Sequence, residues 1–206
     1  MTKGVLTIVS GFAGSGKGTV MKQLLSRHGE YALSISATTR KPRKGERDGV
    51  EYFFKTKEEF EKMIGEHAFL EYANYVGNYY GTPASYVDEQ LNLGKDVILE
   101  IEVQGALQVK KLRSDALLVF LTPPSGAELE RRLRGRGTET DEVIRSRMRR
   151  AGEESELMSS YDYILINDDV DRATEELHNL IRSQHLAASR NEELIGRIRR
   201  ELGVCR

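Results

Sequence analysis

The residues best suited to chemistry come early in the chain. Gly11-Phe12-Ala13-Gly14-Ser15-Gly16-Lys17-Gly18-Thr19 joins the β-rich segment Val5–Val9 to a helix-like stretch. Glycines let such a loop wrap so that its backbone N–H groups converge on an anion, and the following helix N-terminus adds partial positive charge. Lys17 then reaches the β- and γ-phosphates of a nucleotide. The alternative, a glycine-rich turn with a surface lysine, is disfavoured by the strand-to-helix context. One position departs from the usual loop. The residue after the lysine ordinarily carries a hydroxyl that binds Mg²⁺, and here it is Gly18. Water or Glu100, a carboxylate ending the apolar run Val97–Leu99, can take that role; an ordinary solvent-side carboxylate is the competing reading of Glu100.

Two further clusters suit phosphate. Ser34 to Glu46 gathers Ser36, Thr38, Thr39, Arg40 and Arg43 after the second strand-like segment. Guanidinium forks match phosphate oxygens in pairs, which a lysine ammonium cannot do. Taken alone, the same stretch reads by default as a generic basic loop, with a nucleic-acid patch as the other reading. Between 131 and 150 there are eight arginines (Arg131, Arg132, Arg134, Arg136, Arg145, Arg147, Arg149, Arg150) and no lysine. That preference suits neutralisation of a transferring phosphoryl group. Several of these arginines fit a solvated helix face. Interruption by Glu139, Asp141 and Glu142 argues against a nucleic-acid surface.

Positioning these groups falls to a repeated pattern. Near-continuous apolar runs at Val5–Val9, Tyr31–Ser36, Val97–Val103, Leu117–Leu121 and Tyr163–Ile166 read as strands covered on both faces. Helix-like stretches follow at Thr19–His28, with Gly29 as the stop, at Ala106–Leu112 and at Arg172–His185. The alternation predicts an α/β fold with a doubly wound parallel sheet. Two regions break it. Residues 37–90 read as an inserted lobe, with a capping box at Thr56 and Glu59, a tyrosine-rich segment, and a helix from Pro83 capped by Thr82. Residues 125–155 read as a charged helical flap broken at Gly135-Arg136-Gly137. Asn191–Leu202 predicts an amphipathic helix, with docking on the body favoured over docking on another subunit.

Composition bounds the rest. With 206 residues the chain accommodates one large domain with inserted lobes. Lys plus Arg number 31 against 32 Asp plus Glu, so net charge gives no reason to bind nucleic acid or an acidic membrane. Cys205 is the only cysteine, and no apolar run approaches the roughly 20 residues of a membrane span. No secretory leader precedes the first strand, and a cytoplasmic location is expected.

Several of these motifs, taken together and in order, resemble the guanylate kinase family. They are the phosphate loop, Ser36-Ala37-Thr38-Thr39-Arg40-Lys41-Pro42-Arg43, Gly49-Val50-Glu51-Tyr52-Phe53, Gly77-Asn78-Tyr79-Tyr80-Gly81-Thr82, Glu100-Ile101-Glu102-Val103-Gln104-Gly105, Gly135-Arg136-Gly137 and Asn167-Asp168-Asp169. The resemblance covers residues 4–185 and leaves a tail at 186–206. It implies a P-loop-type parallel sheet with flanking helices. The core would be 4–36, 91–124 and 156–185, with a GMP-binding lobe at 37–90 and an arginine-rich lid at 125–155.

What the resemblance implies is transfer of a phosphoryl group from ATP, with Mg²⁺, to GMP. ATP would lie on Gly11, Phe12, Ala13, Gly14, Ser15, Gly16, Lys17, Gly18 and Thr19, with Arg136 and Asn167. The GMP phosphate would meet Ser36, Arg40, Arg43, Tyr52 and Tyr80, and guanine would meet Glu71, Thr82 and Glu102. Lys17, Arg43, Arg136 and Arg147 would stabilise the charge that develops, and Glu100 is the candidate metal ligand, directly or through water. The chemistry agrees: a carboxylate at Glu71 accepts from guanine N1–H and N2–H₂, and a hydroxyl at Thr82 donates to O6. Adenine lacks both donors. Family members often carry Asp where this chain has Glu102. Two other readings stay open, a non-catalytic guanylate-kinase-like binding module and a kinase of another nucleotide or sugar phosphate.

Overall fold

Alternate residues of β1 (Leu6–Ser10) enter different cores. Leu6 and Ile8 face one, and Val9 faces the other, so the strand is buried on both sides. In the computed structural model, which describes residues 3–75, 77–135, 137 and 140–203, the phosphate loop leads from β1 into α1 (Lys17–Arg27). β2 (Tyr31–Leu33) follows, then β3 (Ala37–Thr38), β4 (Phe53–Phe54), α2 (Lys57–Gly65), β5 (Phe69–Tyr75), β6 (Asn78–Pro83) and α3 (Ala84–Asn92). The chain then forms β7 (Asp96–Glu100), α4 (Val103–Leu112), β8 (Leu117–Thr122), α5 (Gly126–Gly135) and α6 (Asp141–Ser155). It finishes with β9 (Tyr163–Ile166), α7 (Val170–Gln184) and α8 (Glu192–Glu201).

Five strands pair in parallel in the order β2-β7-β1-β8-β9. On one face α1 and α7 pack Val20, Met21, Leu24, Ala173, Leu177 and Ile181 against the sheet. On the other, α3, α4 and α6 supply Val87, Leu91, Val103, Ala106 and Ile144. A parallel sheet must be covered this way because its crossover connections lie on its faces.

The second sheet, β4-β3-β6-β5, is mixed: β3 pairs parallel to β4 and antiparallel to β6. Phe60 of α2 stacks on Phe69 and Tyr79 beneath it. The Thr56–Glu59 capping box starts α2 as its sequence predicts. In the β5–β6 hairpin Phe69 faces Pro83 and Glu71 faces Thr82, so Leu70 is an extra residue on one strand, a β-bulge.

Several expectations are corrected. β2 ends at Leu33, not Ser36, because the chain passes into the second sheet, where Ser36 O accepts from Phe53 N. β7 ends at Glu100, since Val103 is already helical and buried against the core. The first helix stops at His28 in extended backbone, ahead of Gly29. Thr82 does not cap α3; Pro83 occupies that position without a side-chain bond, and the Thr82 hydroxyl is engaged elsewhere. β9 is an edge strand, so Tyr163, Ile164 and Ile166 are exposed and only Leu165 is buried. α8 forms, but none of its residues is buried, and Leu194 and Ile198 are 42% and 44% exposed. It therefore does not dock its apolar stripe on the body. Among the described residues no helix is long and apolar enough to cross a membrane.

Asp96 ties the start of the sheet to the end of the chain's last long helix. It is buried, its Oδ1 accepts from Val5 N at 2.7 Å, and His185 Nε2 meets both carboxylate oxygens at 2.9 and 3.0 Å. Asp96→Ala strands a buried amide and frees the end of α7. The expected cost is about 2–3 kcal/mol in urea unfolding. A loss under about 0.5 kcal/mol, the ordinary scale of a surface substitution, would disprove this anchoring.

Candidate active site

The phosphate loop lies at the carboxyl edge of the sheet, where parallel α/β sheets bind ligands. Gly16 caps α1 in the left-handed region (φ 94°), and a Cβ there would sit 2.3 Å from Asn167 Nδ2. No side chain caps the helix and no acid lies in its first turn, which leaves its positive end open to an anion. Lys17 Nζ folds back onto Gly11 O at 2.5 Å and Phe12 O at 3.5 Å. Burial lowers its pKa, while Glu100, Glu102 and Glu154 pull it back up.

The loop's shape is enforced from outside. Ser15 O accepts from Asn167 Nδ2 at 2.8 Å and from an Arg132 guanidinium nitrogen at 3.2 Å. The other Arg132 terminal nitrogen donates to Asn167 O at 2.8 Å, and its Nε donates to Glu128 at 2.7 Å. Arg132 thus straps α5 to both the loop and the end of β9. Ser15 Oγ and Asn167 Oδ1 are buried with no partner, two unused polar atoms beside the phosphate position. The neighbouring guanidiniums of Arg131 and Arg132 hold the Glu128 carboxyl down to about 2.

The arginines divide by helical position. Arg131 is 75% exposed and pairs with Glu128, and Arg134 pairs with Glu130 and Asp141, so neither reaches the loop. Arg132, to which no motif assigns a role, does reach it. The available signal was its spacing of four from Glu128, which puts both on the face that carries buried Leu129 and Leu133 toward the sheet. Arg147 is half-buried on α6. Arg136 lies outside the described residues.

Across the cleft, the bulge sets Glu71 opposite Thr82. The buried Thr82 hydroxyl donates to Glu71 Oε1 at 2.7 Å. Glu71 Oε2 faces Gly105 of α4, where a Cβ would be 3.2 Å away. Burial raises the Glu71 pKa and the Thr82 bond opposes it. A hydroxyl has one proton, so while it donates to Glu71 it does not also donate to a base carbonyl. Glu102 is not part of this notch: 73% exposed, it pairs with Arg150 of α6 at 2.7 Å.

Arg40, Tyr52 and Tyr80 do come together. The Arg40 guanidinium sits 5.3 Å from the centre of the Tyr52 ring, and the Tyr52 and Tyr80 rings are 6.1 Å apart. Ser36 is half-buried at the entry to β3, while the Arg43 side chain is exposed. Glu46, which no motif assigned a role, holds this corner. It takes both Arg40 terminal nitrogens at 2.9 and 3.0 Å and the Arg43 amide at 2.7 Å. Arg40 lowers its pKa.

A divalent cation fits the loop side of the cleft in the manner of Mg²⁺, which takes one or two carboxylates and completes its shell with phosphates and water. Glu100 is the carboxylate available there; burial raises its pKa, and Lys17 opposes that shift. Gly18 offers no side-chain oxygen and the space beside it is open, while Thr19 is exposed.

With this geometry described, comparison with known proteins is decisive. A family model described as "Guanylate kinase" matches residues 3–184. The chain belongs to the guanylate kinase family. It is 53% identical over 188 residues to a guanylate kinase of Halalkalibacterium halodurans, covering 91% of this chain and 92% of that one. It is 52% identical over 198 residues to one of Streptococcus thermophilus, with 96% and 93% covered. The crystal structure of guanylate kinase from Anaplasma phagocytophilum is similar at a TM-score of 0.70 and 29% identity, covering 92% of this chain and 90% of that one. The family's expected parallel sheet is present, and the match ends where α7 ends.

The Glu71–Thr82 pair generates a spectroscopic expectation. Thr82→Val removes a donor to the carboxylate, so the Glu71 pKa rises further, measured by carboxyl ¹³C shift against pH. An unchanged or lower value would show that the hydroxyl does not donate to Glu71. Because Glu71 binds its proton more tightly folded than unfolded, its contribution to stability is fully present below the unfolded pKa. It is lost as pH rises through the folded value.

Proposed function

We propose that the protein transfers the γ-phosphoryl group of ATP to GMP, giving ADP and GDP, and accepts dGMP as well. This places it in purine nucleotide metabolism and GMP recycling. The observation that carries the reading is the pairing of an intact phosphate loop with a buried carboxylate–hydroxyl pair across the cleft. An intact Lys17 and its glycines separate the chain from a non-catalytic binding module.

In this reading residues 37–90 form the GMP lobe and 125–155 the lid over the core. Gly11 to Thr19 hold the ATP phosphates, with Asn167 fixing the loop from behind and Arg136 reaching ATP from the lid. Lys17 exchanges its contacts with Gly11 O and Phe12 O for phosphate oxygens. Arg40, Arg43, Tyr52, Tyr80 and Ser36 orient the GMP phosphate. Glu71 accepts from guanine N1–H and N2–H₂, which favours its ionised form and offsets burial; Glu102 joins it when Arg150 moves. A GMP phosphate oxygen attacks the γ-phosphorus, the bond to the β–γ bridging oxygen breaks, and ADP leaves with that electron pair. Lys17, Arg43, Arg136 and Arg147 neutralise the charge that spreads over the moving group. Mg²⁺ bound with the nucleotide supplies further charge neutralisation, with Glu100 as its protein carboxylate, directly or through water.

A coupled assay of ADP formation with GMP, dGMP, AMP, UMP and CMP tests the substrate directly. GMP is expected to exceed AMP by about 10⁴-fold in kcat/KM, since adenine leaves Glu71 without its donors; preference for another monophosphate overturns the assignment. Lys17→Ala should keep the fold and cut turnover by roughly 10²–10³. Glu71→Ala should raise KM for GMP far more than KM for ATP; equal effects would mean that guanine is read elsewhere.

A further inference from the structure

α1 ends away from the phosphate loop at His28, roughly 16 Å along the helix from Lys17. The His28 ring stacks on His178 of α7, with centroids 3.8 Å apart and planes within 9°. One ligand atom from each of His28, Glu30 and His178 lies within 4.8 Å of the other two. His28 Nε2 is buried without a hydrogen-bond partner, and His28 Nδ1 is 3.9 Å from Glu30 Oε1. On the far side, the Tyr31 hydroxyl lies 2.7 Å from His178 Nδ1.

A polar nitrogen buried without a partner costs stability, as does packing two imidazoles face to face when either is charged. Nothing in the phosphoryl-transfer site calls for this arrangement. We propose that His28, Glu30 and His178 form a binding site for a borderline divalent transition-metal ion of the Zn²⁺ type, separate from the nucleotide cleft. Two imidazoles and one carboxylate, with the fourth position open to water beside exposed Glu30, are a donor set that Zn²⁺ takes. Mg²⁺ and Ca²⁺ are excluded by the nitrogen donors, since both prefer all-oxygen shells.

Tyr31 has the place of an outer-shell partner. By engaging Nδ1 it orients His178 and leaves Nε2 as the ligand when Nδ1 carries the proton. Parallel rings do not both contain one metal in their planes, so binding tilts His28 off the stack. His28 is the member able to move. It caps the helix in extended backbone, its side chain is 21% exposed, and a methyl group added at neighbouring Gly29 would meet nothing within 4 Å. The bound ion links α1, β2 and α7 on one face of the sheet.

The test uses the full-length chain stripped of metal. Zn²⁺ titration by calorimetry is expected to give one site per chain and a higher Tm, with Co²⁺ giving the visible absorption of a low-coordinate nitrogen–oxygen site. His28→Gln and Glu30→Gln, both at the accessible side, should weaken Zn²⁺ roughly 10–100-fold and abolish the rise in Tm; Tyr31→Phe should weaken it roughly tenfold. In ¹⁵N-histidine spectra Zn²⁺ should move the His28 and His178 rings and leave His67 and His185 in place. The proposal is overturned by absence of one-to-one binding, by variants that bind as the unmodified chain does, by equal competition from Mg²⁺, or by shifts confined to His67 or His185.

Discussion

A cleft built to hold polyphosphates has to keep cations close together before any phosphate arrives, and mutual repulsion among them has to be met by the protein itself. Here several are given partners from the chain itself. Lys17 rests on the loop's own carbonyl oxygens within the field of Glu100, Arg40 is forked onto Glu46, and Arg150 reaches Glu102. Arg132 is held by Glu128 while it grips the loop. Charge gathered in this way is already compensated within the fold, so these groups are not left as unpaired buried cations.

The two sides of the cleft are stiffened differently. The phosphate side draws on long-range backbone contacts: residues 15 and 167 are joined through a buried amide, and one arginine closes the triangle. The opposite side rests on a small aromatic core, Phe60 between Phe69 and Tyr79, beneath a short mixed sheet. A small core buries less apolar surface and so holds its sheet less firmly than the cores on either face of the five-stranded sheet.

Much of this was readable from residue order, and the failures have physical causes. The phosphate loop, the five parallel strands and the Thr56–Glu59 capping box follow from local chemistry, so sequence reading places them well. Strand ends were misjudged at β2 and β7 because apolar residues such as Val103 serve a helix as readily as a strand. The exposure of Ile164 and Ile166 depends on β9 being last in the sheet, which no local pattern encodes. Thr82 reads as a helix cap until its cross-strand neighbour is known. Arg132 and Glu46 went unassigned because their roles depend on partners: Asn167 35 residues away, and a turn that brings Glu46 back to Arg40. The pairing of Glu102 with Arg150 joins positions 48 residues apart, which no local pattern encodes.

The extra residue at Leu70 has a consequence for how this lobe can change over time. Glu71 and Thr82 stand directly opposite each other on one face of the hairpin, so removing the extra residue would make the ladder regular and leave that pair in register. What the bulge sets is the bend and twist of the strand that carries Glu71. A single-codon deletion there would straighten the strand and redirect the pair it presents, while the pair itself persisted.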